Sequence, residues 1–459
     1  MHHRNRLALG LTGASPMCYA GLCLLVLLAY ANALGGVFQF DDFQVVVEQE
    51  AVHSLAAWWR DLGQGIRPLL KLSYTLNWIS GAGAMGYLAA NIAVHALTVC
   101  LVARLSWLFL RAHRLDQGLP HVPWLAAALF ALHPAQTEAI SYICGRSTSL
   151  MALLYLAGLW AHATAANTQA PWARRLGAAL CFALALGVKE TAVTFPLALL
   201  LWDVSCGQRW RVALRKARPS WLVLLLAASG FLANGAYRAA MERSLEFNTL
   251  TGNAATQLDA LAYLARQAVL PLWLNIDPDL PVRRDFSQAL PGLVLLLAAL
   301  AVLWLSWQRR PWLGFALAWA LLHWLTLYVF LPRLDVANDR QLYLATWPLC
   351  LALVLELHLW LPVRLASAAL VALLLGAALL TVQRNQDFRS EIALWQQTAG
   401  LSPEKSRVHN NLGYAYKEAG QAAAARREFL LALQQDPDNF RARLNLRRLN
   451  LEQAAKKPE

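Results

Sequence analysis

Long unbroken apolar runs constrain this chain more than any other feature. Residues 17–37, 86–110 and 365–382 are each long enough to cross a bilayer core of roughly 30 Å, which takes about 18 to 20 apolar residues. Of the 459 residues, 58% are hydrophobic and 15% are charged, whereas soluble domains average about 45–50% and about 25%. Because backbone polar groups must pair internally in lipid, such runs fold as α-helices. The sequence predicts an integral, all-α membrane protein.

The apolar runs predict about eleven transmembrane helices, with the first starting inside and the last ending outside. Basic residues collect in the short loops at 174–175, 209–218 and 309–310, as the positive-inside rule expects of cytoplasmic loops. This distribution explains the basic formal net charge of +13 better than a nucleic-acid surface does. The predicted spans are 17–37, 86–110, 122–132, 150–165, 176–188, 191–204, 221–235, 293–307, 313–330, 344–357 and 365–382.

The start of the chain allows two interpretations. A short basic segment, 1–6, precedes the first span, and Ala31-Asn32-Ala33 matches the small-x-small cleavage pattern of a signal peptide. We favour an uncleaved signal-anchor, because the run is long for a signal core and an acidic pair follows it. The seven cysteines include no Cys-x-x-Cys pair, so small buried apolar residues are favoured over a disulfide framework or a metal site.

Charged residues concentrate at the predicted outer ends of the spans. A transporter would instead place its charges near the bilayer centre. Two adjacent carboxylates follow the first span, where they suit a general base at the boundary between membrane and water. The residues expected to meet on this outer face are Asp41, Asp42, Arg67, His133, Glu138, Arg146, Lys189, Glu190, Arg333, Asp339 and Arg340.

Several of these residues have a structural alternative. Lys189 and Glu190 could equally form an ion pair, and Asn91 with His95 could form interhelical hydrogen bonds. The turn at 275–279 is interpreted as solvated rather than as a set of cation ligands. No spacing demands a metal, although the outer acids leave a divalent cation open.

The chain changes character after residue 383. Residues 412–437 match the tetratricopeptide pattern in order and spacing, with His409 as the departure from the usual aromatic. Trp395 and Pro403 lie one period of about 34 residues before Phe429 and Pro437. We therefore divide the chain into a membrane domain, 1–383, and a tetratricopeptide-repeat region outside the cytoplasm, 384–459. We expect this tail to pack on the membrane domain or to bind a partner.

Short motifs occur in a characteristic order along the chain. They are Phe40-Asp41-Asp42, Arg67-Pro68-Leu69, Gly86-Tyr87 through Asn91 and His95, His133-Pro134 through Thr137-Glu138, Gly145-Arg146-Ser147, Lys189-Glu190 and Asp339-Arg340-Gln341-Leu342-Tyr343. Together they resemble the motifs of the transmembrane and tetratricopeptide-repeat-containing O-mannosyltransferases and their bacterial relatives, which belong to the GT-C glycosyltransferase superfamily.

The resemblance implies transfer of mannose or a similar hexose from a polyprenyl-phosphate donor to a Ser or Thr hydroxyl of a protein, with inversion. It implies a catalytic base at Asp42 or Asp41, and we favour Asp42. Arg146, Lys189, Arg333, Arg340 and Arg67 would hold the donor phosphate, because arginine pairs bidentately with phosphate. Further candidate residues of the site are His133, Glu138, Glu190, Asp339 and Tyr343.

The same pattern leaves alternatives open. The tail is shorter than in eukaryotic members, and the late motif reads Asp-Arg-Gln where those have Glu-Arg. An enzyme that modifies lipopolysaccharide or ligates O-antigen would use a similar charged face. A non-catalytic scaffold that assembles through its repeats is the third interpretation. We expect a bacterial inner-membrane protein with a periplasmic active face, or an endoplasmic-reticulum protein in a eukaryote.

Overall fold

The computed structural model describes residues 16–330, 332–333 and 335–455, and within these ranges the chain is helical without β-strands. The prediction of an all-α protein is confirmed. The predicted basic segment at 1–6 lies outside the described residues.

The membrane region contains a helix on each predicted apolar run and further helices between those runs. They are α1 (Pro16–Tyr30), α2 (Leu55–Asp61), α3 (Pro68–Ser80), α4 (Gly83–Ala112), α5 (Val122–Leu132), α6 (Thr137–Ile140), α7 (Arg146–Ala163), α8 (Pro171–Leu186), α9 (Phe195–Ser205), α10 (Trp210–Lys216), α11 (Arg218–Ala233), α12 (Gly235–Glu246), α13 (Leu250–Val269), α14 (Leu290–Ser306), α15 (Pro311–Leu325), α16 (Leu342–Trp360) and α17 (Val363–Asp387).

Short helical turns connect several of these helices. They are 3₁₀ helices at Ala31–Gly35, Glu50–Val52, Pro134–Gln136, Ile143–Gly145, Ala165–Asn167, Glu190–Thr194, Phe286–Ala289 and Asp339–Gln341, and a π-helix at Phe43–Val47.

Six described helices are long and apolar enough to span a membrane, and a seventh is added if α11 and α12, which meet at a bend of 83°, form one span. The predicted count of eleven is not confirmed. Length explains the difference at α5, since its 11 residues extend only about 16 Å at about 1.5 Å per residue. Proline at position 134 then prevents the helix from continuing.

The core forms where α4 packs against α1, α5 and α7. Asn91 of α4 donates hydrogen bonds of 3.1 Å to the carbonyl oxygens of Ile140 and Tyr142, and so ties this core to the loop before α7. The interhelical hydrogen bonding considered for Asn91 is therefore present. It fixes the outer loops that contain the predicted site.

The tail forms four further helices: α18 (Glu391–Leu401), α19 (Ser406–Glu418), α20 (Ala422–Gln435) and α21 (Phe440–Ala455). Helices α19 and α20 approach closely, because a Cβ added at Gly413 would lie 2.7 Å from the ring of Phe429. Small residues at this crossing agree with the predicted repeat, and the repeat assignment itself stays a prediction. The domain boundary at 383 also stays a prediction, and α17 continues past it to Asp387.

The tail docks against the membrane region through a buried turn. Ser402 accepts hydrogen bonds from Asn275 Nδ2 (2.8 Å) and from the backbone N–H of Asp279 (3.1 Å). Asn275 and Asp277 are each only 2% exposed. The sequence interpretation of these residues as a solvated turn is therefore wrong, because the tail covers them.

Candidate functional site

The loop that follows α1 turns sharply at Phe40. This residue has a left-handed backbone with φ of 51°, a conformation that costs non-glycine residues energy and recurs at functional sites. Its ring packs edge-on against Trp395 of the tail, with ring centroids 5.0 Å apart. The turn directs the two adjacent carboxylates that follow it into different surroundings.

Asp42 is completely buried and is held by the backbone. Its Oδ2 accepts a hydrogen bond of 3.1 Å from the N–H of Gln39, and its Oδ1 accepts one of 2.9 Å from the N–H of Cys144. Burial raises the pKa of Asp42 to about 7, although these hydrogen bonds favour the charged form. Asp42 thus joins the loop that follows α1 to the loop before α7.

Asp41 is half-buried and faces open space. Its backbone N–H donates a hydrogen bond of 3.2 Å to the hydroxyl of Tyr142, while its carboxylate forms no salt bridge with another residue in the described part of the chain. Burial raises the pKa of Asp41, and the positive charge of Arg340 opposes that increase. The side chain is therefore a carboxylate whose oxygens remain available to a ligand.

Asp41 lines a cavity of about 230 Å³ that we call the carboxylate cavity. Carboxylates, guanidinium groups and aromatic rings all line it, so a ligand inside would contact both negatively and positively charged groups. Its lining comprises Phe40, Asp41, Glu138, Tyr142, Ile276, Asp277, Arg333, Asp335, Arg340, Phe388, Leu394, Trp395 and Arg407.

A buried ion pair supports the floor of this cavity. Arg340 Nε lies 2.7 Å from Glu138 Oε1, and the backbone N–H of Arg340 donates to Glu138 Oε2 at 3.1 Å. The guanidinium also lies over the ring of Tyr142, 5.9 Å from its centroid. Because Glu138 is only 1% exposed, removing its partner would leave an uncompensated charge in the interior.

A larger cavity of about 560 Å³, which we call the apolar groove, lies next to the first. Its walls are mainly apolar and its charged residues are mostly cations. The apolar lining includes Val193, Phe231, Leu232, Met241, Phe247 and Leu327, and the charged lining is Arg67, Lys189, Glu190, Arg238, Arg243, Arg333 and Asp335.

The cations of the groove differ in how they are held. Arg67 is paired with Glu190, with Nε–Oε1 at 3.0 Å and Nη2–Oε2 at 2.7 Å, so the expected ion pair uses Arg67 rather than Lys189. Lys189 instead donates a hydrogen bond of 2.7 Å to Thr148 Oγ1. Burial, together with the charges of Arg340 and Arg67, holds the pKa of Lys189 well below its usual range.

Arg333 and Asp335 line both cavities. Their side chains pair at 2.8 Å, and Asn338 Nδ2 donates to the same Asp335 oxygen at 2.7 Å. Arg333 also lies over the ring of Tyr328, 5.6 Å from its centroid. The two cavities therefore meet at this ion pair.

The common outer surface expected for the candidate residues requires correction, because five of them line neither cavity. One is Asp42, which is held by the backbone as described above, and the others are Arg146, His133, Asp339 and Tyr343. Arg146 is buried among helices, where Nε donates to Asn91, Nη1 to Asn77 and Nη2 to the carbonyl of Tyr87, each at 2.7 Å. Its guanidinium is therefore fully occupied inside the helix packing and does not face a ligand.

The other three are also held within the protein. His133 contacts the carbonyl oxygen of Ala268 at 3.2 Å, and the hydroxyl of Tyr343 contacts His95 Nδ1 at 2.7 Å. Asp339 accepts a hydrogen bond of 3.0 Å from the hydroxyl of Tyr263 and lies behind the cavity floor. Each of these side chains stabilises the packing around the site.

Sequence reasoning missed three charged residues that contribute to the cavity walls: Asp277, Asp335 and Arg407. Asp335 lies two residues after Arg333 in a charged segment, so a charge count there could have identified it. Arg407 lies in the tail, where basic residues usually face solvent. Across the described ranges, no cluster of three or more His, Cys, Asp or Glu side chains is placed to hold a metal ion.

Curated proteins of similar sequence are protein O-mannosyl-transferases. One from Caenorhabditis elegans is 24% identical over 91% of this chain and 62% of its own length. TMTC3 of Mus musculus is 22% identical over 92% of this chain and 52% of its own length. Tmtc2 of Drosophila melanogaster is 29% identical over 44% of this chain and 23% of its own.

The chain thus spans about half to three fifths of the length of the first two relatives. No family model matches it. No solved structure matches it either.

Proposed function

Because this chain is related to the protein O-mannosyl-transferases, we propose that it is a membrane glycosyltransferase that uses a polyprenyl-phosphate sugar. The sugar, mannose or a similar hexose, passes to a Ser or Thr hydroxyl of a protein acceptor. The active face lies outside the cytoplasm, which is the periplasm if the host is a bacterium.

One observation supports this proposal above the others: the carboxylate cavity and the apolar groove share Arg333 and Asp335. A polyprenyl chain is apolar, as are the walls of the groove, and its phosphate is anionic, whereas most charged residues of the groove are cations. A hydroxyl acceptor needs a nearby base, which the cavity supplies. The two substrates would therefore meet at the common wall.

We assign the base to Asp41 rather than to Asp42. The pKa of Asp42, about 7, suits a base working near neutral pH, but both of its oxygens are engaged by backbone N–H groups. Asp41 lines the cavity and its oxygens are open to a ligand. Geometry takes precedence over pKa, because a base must reach the proton that it removes.

The reaction is then a direct displacement. The acceptor oxygen attacks the anomeric carbon while Asp41 takes the hydroxyl proton, and the bond between that carbon and the phosphate oxygen breaks. Attack opposite to the leaving group inverts the configuration. Arg67, Lys189 and Arg333 stabilise the charge that develops on the departing polyprenyl phosphate, a large contribution in a site with little water.

The test is sugar transfer by the purified full chain in detergent, with a panel of polyprenyl-phosphate hexoses and Ser/Thr-rich peptides. We expect transfer by the wild type, and a loss of about 100- to 10,000-fold in kcat for Asp41→Asn. Donor binding should persist in that variant. Turnover by Asp41→Asn equal to that of the wild type would contradict the assignment, and an inactive wild type would contradict the function.

A further inference from the structure

The tail supplies part of the wall around the carboxylate cavity. Phe388, Leu394, Trp395 and Arg407 all line it, and all of them follow residue 383, at which the membrane region was expected to end. The membrane region alone would leave this side of the cavity open to water.

Arg407 is the charged member of this group, and its position is fixed by the membrane region. Its Nε donates to Asp277 Oδ2 at 2.7 Å, and its Nη2 pairs with Asp277 Oδ1. The Arg407 side chain is 33% exposed, whereas that of Asp277 is only 2% exposed. The guanidinium is thus anchored on one edge and free to face the cavity on the other.

The same carboxylate also binds a second cation. Lys405 Nζ lies 2.8 Å from Asp277 Oδ1, but Lys405 does not line the cavity. Two neighbouring cations of the tail therefore share one docking partner, and only one of them faces the space around Asp41. Substituting Lys405 and Arg407 one at a time therefore distinguishes an effect on the docking of the tail from an effect on the site.

The charges around Asp41 come from several elements. The carboxylates Glu138, Asp277 and Asp335 each have a basic partner within 3 Å, while Asp41 has none among the described residues. Tyr142 and Asp42 complete its immediate surroundings. The cations that act on its carboxylate are Arg333, Arg340 and Arg407.

We propose that Arg407 is a positioning residue of the glycosyl-transfer site: it closes the cavity wall and places a positive charge at the space that the Asp41 carboxylate faces. This inference rests on the proposed function. It makes the tail a part of the active site in addition to any part in binding an acceptor.

The physical consequence concerns pH. A positive charge near a carboxylate favours the ionised form and lowers its pKa. Asp41 acts as a base only when ionised, so activity rises as the pH passes upward through its pKa. Removing the charge of Arg407 raises that pKa, and the acidic limb of the rate profile moves to higher pH.

The experiment compares Arg407→Ala, Arg407→Lys and Lys405→Ala with the wild type in the full chain. We expect Arg407→Ala to lower kcat/KM by about 10- to 100-fold and to move the acidic limb upward. Arg407→Lys keeps the charge and should leave the limb close to that of the wild type. Lys405→Ala removes a docking contact to the same Asp277 and should leave the limb unchanged.

A second readout does not depend on turnover. A water-soluble carbodiimide reacts with the protonated carboxyl, so coupling of an amine to Asp41, followed by mass spectrometry over a pH series, reports the protonation of Asp41. In Arg407→Ala, labelling should persist to higher pH than in the wild type or in Lys405→Ala.

Several results would overturn the inference. One is activity of Arg407→Ala equal to that of the wild type. Another is an equal loss of kcat/KM in Arg407→Ala and Lys405→Ala, with the acidic limb and the labelling of Asp41 unchanged in both variants. An inactive wild type contradicts both the proposed function and the role of Arg407 as a positioning residue for glycosyl transfer. The labelling series still decides, in that case, whether Arg407 sets the protonation of Asp41.

Discussion

Asp42 Oδ1 accepts a hydrogen bond of 2.9 Å from the backbone N–H of Cys144, which lies 102 residues further along the chain. With the second bond from Gln39, this contact fastens two outer loops to each other. The residue favoured as the base from the sequence thus holds the site together.

Replacing Asp42 should therefore destabilise the fold. Asp42→Ala leaves two backbone N–H groups without an acceptor, which costs about 1–3 kcal/mol for a buried group. Thermal unfolding in detergent at about pH 5.5 measures this with Asp42 largely neutral, because its pKa is about 7. Asp41→Ala is the matched control and should keep the wild-type melting temperature, since no described N–H donates to the Asp41 carboxylate. Equal losses in both variants would contradict this distinction.

The raised pKa of Asp42 also makes stability depend on pH. The folded state keeps the proton up to a pKa of about 7, while the unfolded chain releases it near the ordinary aspartate pKa of 3.8. Between these values the folded state binds more protons, so the free energy of unfolding falls as pH rises through this window. Melting temperatures across the window should decline, and Asp42→Asn should flatten the decline. The exposed Asp438→Asn should leave it unchanged, and an unaltered slope in Asp42→Asn would refute the assignment.

Lys189 should couple donor binding to proton uptake. Its pKa lies well below the usual range in the free protein, and an anionic phosphate in the apolar groove would raise it. Affinity for a short-chain prenyl phosphate should therefore fall as pH rises, and calorimetry in two buffers of different ionisation enthalpy should register uptake of a proton. Lys189→Met should lose this uptake and bind at least about tenfold more weakly. Lys71→Met, which removes a pair with Asp61 outside the groove, serves as the control.

Glu190 holds the Arg67 guanidinium in an ion pair in the same groove. Glu190→Gln releases the guanidinium from its bidentate pair, so prenyl phosphate should bind more tightly, by about 3- to 10-fold, as Arg67 turns to the phosphate. The variant should also be less stable by about 1 kcal/mol, because both partners are partly exposed. Asp61→Asn frees Lys71 in a comparable way and should not change the affinity. Weaker binding by Glu190→Gln would show that the pair itself forms the phosphate site.

Gly145 permits a close approach that supports Glu138. A Cβ at this position would lie 2.2 Å from the carbonyl oxygen of Glu138, so Gly145→Ala must displace the backbone that presents this carboxylate. We expect a loss of stability of about 1–3 kcal/mol and a fall in kcat. A Cβ in Gly292→Ala would lie 2.3 Å from the carbonyl oxygen of Leu258, and neither of these residues lines the cavity. It should lose similar stability with kcat retained, and a proportional fall of kcat in both variants would exclude a specific effect at Glu138.

The sequence predicted the helices well where apolar runs are long, as in α4 and α17, because the cost of exposed backbone in lipid leaves one solution. It also located Lys189 and Glu190 at the end of a helix, since charges are excluded from the hydrocarbon. These predictions depend on whether a segment lies in lipid or in water, and the composition of that segment alone indicates this.

The roles of individual charges depend on tertiary contacts, which a stretch of sequence does not report. Asp41 and Asp42 are chemically identical neighbours, and only the left-handed turn at Phe40 separates their environments. Arg146 looked like a phosphate ligand, but partners on two other helices occupy it. Arg407 was not among the residues singled out from the sequence, and docking of the tail places it beside Asp277.

The pair of Arg333 and Asp335 has a pharmacological consequence. Because it lines both the groove and the cavity, the two compartments adjoin at one salt bridge. A bisubstrate inhibitor that joins a prenyl phosphonate to a short hydroxyl-bearing peptide would need only a short linker to fill both compartments. Such a molecule would gain affinity from its high effective concentration at the second site once the first is occupied.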